Sequence, residues 1–265
     1  MGKSPRTNEL RRALADDEVA LGVLDDAYSP TLVEFYAERG LDFVWVDLEH
    51  GGPSPWDGDR LADLLRATDG TDTELLVRLP EPDPALVRKA LDAGVRNAFV
   101  SRVETAAEAE RAVRASRFRY DGEAGDRGFA NPRASRWGTT DDYVATEDDE
   151  TLVGVTIETE TAMENLDAIL DVPELGFVFL GPLDLAVSLG HPGEPDHPDV
   201  QDAVEEILAA SLDAGVPVGG LGFGMDDVNE KAESGYRMLN LGSTTGALKG
   251  VVDSWVEAYE GDAHE

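Results

Sequence analysis

Residues 151–190 read TLVGVTIETETAMENLDAILDVPELGFVFLGPLDLAVSLG, and this stretch decides the fold. A β-branched run at 152–158 leads into apolar residues at helical spacing (Leu166, Ile169, Leu170). A second run at 176–180 leads, through Gly181-Pro182, into another helical pattern. Working outward, similar runs at 19–24, 42–47, 74–78, 97–101, 216–221 and 237–241 complete a set of eight. Each is followed by a segment with i, i+3, i+4 apolar spacing. The first of these helices is expected over Pro30–Glu38, with Ser29 as N-cap and Pro30 at the first helical position. Gly40, Gly94 and Gly215 stand where helices should stop before the next strand. Eight β/α units in 265 residues match a (β/α)8 TIM barrel, for which about 250 residues is typical. An open doubly wound sheet is the alternative, but the first strand lacks a Gly-rich dinucleotide turn: LGVLDDAYS has one glycine and two acids there. There is no Walker sequence, and GGLGFG (219–224) reads more simply as a tight loop than as a phosphate cup. One barrel domain over residues 1–265 is expected, with an N-terminal tail and helix at about 1–18 and an acidic tail at about 259–265.

Lys and Arg number 22 against 55 Asp and Glu, a formal charge of −33. This acidity excludes sequence-independent nucleic-acid binding and adhesion to anionic membranes, which need a basic footprint. No stretch approaches the roughly 18 to 20 apolar residues of a membrane span, and MGKSPRTNELRR has no apolar signal core. Zero cysteines exclude disulfides and thiolate sites. A soluble, cytoplasmic protein is expected. The acids are interspersed with apolar residues at regular periods, and concentrated salt would screen their repulsion, so a salt-rich, halophilic cytoplasm is expected. Against this background the connection 118–143 carries Arg119, Arg127, Arg133 and Arg136. A loop of that length is functional or pairs its arginines with surface acids or a neighbouring subunit.

In a barrel, the C-terminal strand ends face the site whatever the reaction. Strand two ends in Asp47-Leu48-Glu49-His50-Gly51-Gly52, strand three in Arg78, strand five in Glu158, and strand six runs out through Gly181-Pro182-Leu183-Asp184. Of four histidines, His264 is terminal and His191 and His197 flank prolines in a connection, so His50 alone stands at a strand end. There it could act as a general base or be a hydrogen-bonded turn residue. With no Cys and one eligible His, a Cys- or His-rich zinc site is excluded. Glu158 and Asp184 offer the hard oxygen ligands that suit Mg²⁺ or Mn²⁺. Lys3 lies in the tail, and Lys89, Lys231 and Lys249 lie in predicted helices, so no lysine is placed for a Schiff base.

The segments FVWVDLEHGG (43–52), LLVRLPEPDP (75–84), LDAGVRNAFVSRVETAAEAERAVRASR (91–117), GDRGFANPRASRWG (125–138), VTIETETAMENLDAIL (155–170), FVFLGPLDLAVSLG (177–190) and HPDVQDAV (197–204) resemble the HpcH/HpaI aldolase family, in family order, over roughly 15–255. The resemblance implies a class II, metal-dependent aldolase that cleaves a 4-hydroxy-2-oxo acid to pyruvate and an aldehyde. The family's D-x-E-H motif falls on Asp47, Glu49 and His50, implying His50 as the base, acting through a metal-bound water. Asp92 falls where the family has an aspartate partner for that histidine, although Asp213 in the echoed LDAGV shows an ordinary helix-end use. Arg78 falls on the family's enolate-stabilising arginine, and Glu158 and Asp184 fall on the ligands of a divalent cation (Mg²⁺ or Mn²⁺, with Co²⁺ as a further candidate). Gly181 and the backbone around Leu183 and Asp184 would bind the substrate carboxylate. Thr156 stands where the family commonly has glutamine, which alters hydrogen bonding near the metal and bears on the acceptor. The resemblance also implies a C-terminal helix exchanged between subunits and a hexamer built as a trimer of dimers. Alternatives are a citrate-lyase-like enzyme acting on a CoA thioester and a catalytically silent metabolite-binding barrel.

Overall fold

The computed structural model describes residues 7–259. The tails with Lys3 and His264 lie outside the described residues. Eight parallel strands close into a barrel: β1 (Ala20–Leu24), β2 (Phe43–Asp47), β3 (Glu74–Leu79), β4 (Asn97–Val100), β5 (Leu152–Ile157), β6 (Val178–Leu180), β7 (Val218–Leu221) and β8 (Met238–Ser243). They neighbour one another in chain order, and β8 pairs with β1 to close the ring. This is a (β/α)8 TIM barrel, and the open-sheet alternative is excluded by that closure.

The helices are α1 (Glu9–Ala15), α2 (Pro30–Glu38), α3 (Gly58–Ala67), α4 (Pro84–Ala93), α5 (Ala106–Ser116), α6 (Tyr143–Glu150), the short α7 (Glu160–Glu164) and α8 (Leu166–Leu170), α9 (Pro182–Ser188), α10 (Pro198–Asp213), α11 (Met225–Ser234) and α12 (Thr244–Glu257). Local chemistry sets their ends. Pro30 opens α2, a Thr105–Glu108 capping box opens α5, and Gly94 at φ 107° closes α4.

The core has two parts. Aromatic rings fill the barrel: Phe99 stacks on Phe179 at 4.9 Å between centroids, and Trp45 contacts both. Leu, Val and Ala fill the space between strands and helices. A Cβ on Gly219 would lie 2.8 Å from the Phe179 ring and 2.7 Å from the Met238 methyl. Gly219 and Gly220, the first glycines of GGLGFG, are therefore in the strand, Gly219 making room for the filled lumen and Gly220 for the Tyr236 ring outside it.

The connection 118–143 begins with a two-stranded antiparallel ribbon, Arg119–Tyr120 against Glu123–Ala124. Its Arg127 is structural. The guanidinium is buried with Glu147 (Nη2–Oε2 3.0 Å), donates to the Tyr143 hydroxyl (3.2 Å) and stacks on Phe118. Glu147 also receives Arg96 at 2.7 Å. Arg133 lies 3.5 Å from Asp69. At the other end of the chain, α12 buries only Thr244 and exposes Leu248, Val251, Val252, Trp255 and Val256. No helix among the described residues is long and apolar enough to cross a membrane.

The Arg127 and Glu147 side chains are 1% and 2% exposed, so removing Arg127 leaves a buried carboxylate with Arg96 as its remaining cation. Arg127→Met should destabilise the fold by about 3 kcal/mol, read as a lower urea midpoint with an unchanged slope.

Candidate active site

The register of β2 on β3 places Asp47 directly opposite Arg78. Their side chains form a two-point pair, Nε to Oδ1 at 2.8 Å and Nη2 to Oδ2 at 2.6 Å, over the face of Trp45. Burial alone would raise the Asp47 pKa. The Arg78 hydrogen bonds and charge, with the amides of Glu49 and His50, hold it below the usual carboxylate range. Burial works against the Arg78 cation, but Asp47, Glu49 and Glu158 outweigh it and push its pKa up. The third nitrogen, Nη1, lies 3.2 Å from Glu49.

Glu49 carries the network to β4. Its Oε1 accepts from Arg102 Nε at 3.1 Å, and the Arg102 amide donates to Glu158 Oε1 at 2.8 Å. Arg102 does this at φ 59°, a left-handed conformation costly for a side-chain-bearing residue. Glu158, 4% exposed, has a raised pKa: burial is the main cause, and the carboxylates of Glu49 and Asp184 add to it. Its Oε2 is buried without a hydrogen-bond partner, as are Thr156 Oγ1 and Ser101 Oγ nearby on the strand ends. A Cβ at Gly181 would lie 3.1 Å from Glu158 Oε2 and 3.2 Å from Thr156 Cγ2. Asp184 stands in the first turn of α9, and Leu183 before it is exposed.

Four carboxylates (Asp47, Glu49, Glu158, Asp184) thus face two guanidinium groups, an excess of two negative charges. A buried, unpartnered carboxylate oxygen among like charges fits an oxygen-preferring divalent cation. The fit rests on the donor set: oxygen ligands, without thiolate, beside an arginine too firmly paired to neutralise Glu158.

The family profile described as HpcH/HpaI aldolase/citrate lyase matches residues 24–249. The chain belongs to this family. Among relatives, the 5-keto-4-deoxy-D-glucarate aldolase of Salmonella paratyphi A is 32% identical over 253 residues, covering 96% of this chain and 97% of its own. An HpcH/HpaI aldolase/citrate lyase family structure from Burkholderia cenocepacia superposes with a TM-score of 0.89 at 34% identity, over 95% of this chain and 98% of that one. The HpcH/HpaI aldolase of Desulfitobacterium hafniense gives 0.85 at 27% identity, over 94% and 95%.

For this family member, the structure brings together Asp47, Arg78, Thr156, Glu158, Gly181 and, through its charge on Glu158, Asp184. His50 stands at the rim with its side chain 53% exposed and Nε2 3.7 Å from Glu49 Oε2. Asp92 lies apart from this group within the chain. It lies in the last turn of α4, in the outer helical layer, with its pKa raised by burial and opposed by Arg127, Lys89 and Arg88. No hydrogen bond or ion pair among the described residues joins Asp92 to His50. The acid beside His50 within the chain is Glu49, because the two share one turn.

His191, His197 and Asp199 offer ligand atoms within 4.8 Å of one another. The two imidazoles stack face to face, 3.5 Å apart and 13° from parallel. One ion cannot lie near both ring planes without unstacking them. As placed, His197 caps α10 by accepting the Asp199 amide, and His191 meets the Asp199 carboxylate at 3.1 Å.

Sequence reading missed Arg102 and Tyr28. Arg102 was within reach, since it directly follows the fourth strand run as Glu158 ends the fifth. Tyr28 gave no signal: it lies in the turn after β1 and owes its place to an unusual backbone conformation.

Glu158 binds its proton more tightly folded than unfolded, so its contribution to stability falls as pH rises above about 4.5, its ordinary value, through the raised one. Without divalent cations, Glu158→Gln should melt higher than wild type at pH 7, by a margin that closes toward pH 4.5. Mg²⁺ at about 100 times its dissociation constant should stabilise wild type by about 2.7 kcal/mol and the variant far less, read by calorimetry with and without chelator.

Proposed function

We propose that this protein is a class II, metal-dependent aldolase that reversibly cleaves a 4-hydroxy-2-oxo acid to pyruvate and an aldehyde. One observation carries the reading: an arginine fixed by two carboxylates stands beside a buried glutamate with one unpartnered oxygen, in a mouth with two uncompensated negative charges. Relatives named as aldolases support it, as does the lack of any lysine at a strand end among the described residues, since Lys89, Lys231 and Lys249 all lie in helices.

Glu158 and Asp184 would hold the cation, Mg²⁺ or Mn²⁺ by ligand type and Co²⁺ as a further candidate. When bound, it supplies Lewis-acid polarisation of the substrate's keto oxygen. Arg78, held rigid by Asp47 and Glu49, faces the oxygen on which enolate charge develops and needs no reorganisation to stabilise it. The amides of Leu183 and Asp184 precede the first intrahelical bond of α9, Leu185 N–H to Gly181 O, and would receive the carboxylate beside Gly181. The methyl proton of pyruvate passes to the His50 imidazole, and the imidazolium has Glu49 beside it. The enolate carbon then attacks the aldehyde carbonyl, and His50 returns the proton to the new alkoxide. Cleavage runs the same steps backwards. Thr156, with an unpartnered hydroxyl under Glu158, would supply the hydrogen bonding for which the family commonly uses glutamine.

The same reading takes the exposed apolar residues of α12 as the part exchanged between subunits of a homo-oligomer, a hexamer made as a trimer of dimers. It places the protein in a salt-rich cytoplasm, on the strength of its −33 charge.

With pyruvate in D₂O at high KCl, the methyl group should deuterate when Mn²⁺ or Mg²⁺ is present and stop when it is chelated, followed by NMR. Arg78→Ala should slow this exchange about 10²- to 10³-fold while retaining metal binding. Asp184→Ala should lose both. Saturable acyl-CoA cleavage with inert 2-keto acids would move the assignment to the citrate-lyase side of the family. Pyruvate and metal binding without exchange would leave a silent barrel.

A further inference from the structure

Tyr28 is held in a left-handed conformation, φ 53°, by three separate contacts. Arg60 Nη2 donates to its carbonyl at 2.5 Å, and the carboxylate of Asp25 accepts the amides on either side, Ala27 at 3.3 Å and Ser29 at 2.8 Å. Asp25 is itself fully buried and receives the Thr244 hydroxyl at 3.1 Å. A strained residue so over-determined marks a place where the side chain's direction matters.

That direction is toward the loop after β2. A Cβ on Gly51 would lie 2.5 Å from the Tyr28 hydroxyl oxygen, and a Cβ on Gly52 would lie 2.7 Å from the ring edge. Two successive glycines therefore lie against the phenol, and the residue before them is His50. Nothing else fixes His50 firmly. Its amide meets Asp47 Oδ2 at 3.4 Å, its ring is half in solvent, and Glu49 stands 3.7 Å off. Burial and the charges of Asp47, Asp26 and Asp25 push the Tyr28 pKa up, so the phenol stays neutral while the turn packs on it.

We infer that Tyr28 is a positioning residue for His50: its ring is the platform that sets the 50–52 turn, and with it the imidazole, against the barrel mouth. The catalytic part of this inference rests on the enolising reading above; the structural part does not.

The test uses full-length protein in high KCl. Tyr28→Ala should lower kcat for pyruvate methyl exchange about 10- to 100-fold with little change in KM, the effect of a displaced rather than missing base. Tyr28→Phe, which keeps the platform, should stay within about threefold of wild type. Gly51→Ala attacks the same contact from the other side and should resemble Tyr28→Ala. The separate readout is NMR: the His50 imidazole signal, assigned through His50→Gln, should shift and broaden in Tyr28→Ala. Amide exchange at Gly51 and Gly52 should quicken there too. An unchanged His50 signal and unchanged glycine amides in both Tyr28→Ala and Gly51→Ala would overturn the inference, and so would Tyr28→Phe being as damaging as Tyr28→Ala. Should wild type itself fail to exchange pyruvate protons, the enolising reading fails, and the NMR comparison alone decides the role of Tyr28.

Discussion

The Asp47–Arg78 pair is the interaction on which the mouth of this barrel depends. It exists because β2 and β3 are neighbours in a register that sets the two residues opposite one another. Once Asp47 takes two of its nitrogens, the guanidinium cannot swing toward Glu158, and Glu49 occupies the third. Glu158 is thereby left with an amide from Arg102 on one oxygen and nothing on the other. A paired arginine and an unsatisfied glutamate are two sides of one arrangement. If Arg78 were a mobile counter-ion, it would collapse onto Glu158 and close the site.

The same logic explains why strain gathers at the rim. Arg102 and Tyr28 both adopt left-handed backbone conformations at turns that leave the barrel, and each is held there by groups from other strands or helices. The Arg102 amide serves Glu158, and the Tyr28 ring serves the turn after β2. A regular strand-to-helix turn would send both elsewhere. The filled lumen below, with Trp45, Phe99 and Phe179 in contact, is the rigid floor that lets such turns persist.

Much of this was legible in the chain itself. Period and punctuation located the eight strands to within a residue or two, because a parallel strand covered on both faces must be a short apolar run with a helix after it. The strand-end rule found Asp47, Arg78, Glu158 and Asp184 because barrel geometry forces those positions to one rim. Asp92 lies outside that rule: motif resemblance gives the residue type at a place, not whether one subunit can bring that place to His50. Tyr28 escaped for another reason, since its position depends on a backbone angle enforced by Asp25 and Arg60, which no local pattern encodes. Arg127 and Arg133 in the long connection met acids of their own chain, the plainer of the readings their sequence context allowed.

The excess of two charges at the mouth also bears on how the protein would choose its ion. In dilute buffer, the field of a chain with net charge −33 would draw any cation to the surface, and the mouth would be one attractive patch among many. At 1 M salt the screening length shrinks to about 3 Å, and the distant acids no longer reach an approaching ion. Only side chains in direct contact then still count. Discrimination in concentrated brine would rest with Glu158, Asp184 and their immediate neighbours, and a solvent that silenced the surface would leave the barrel mouth to select by contact alone.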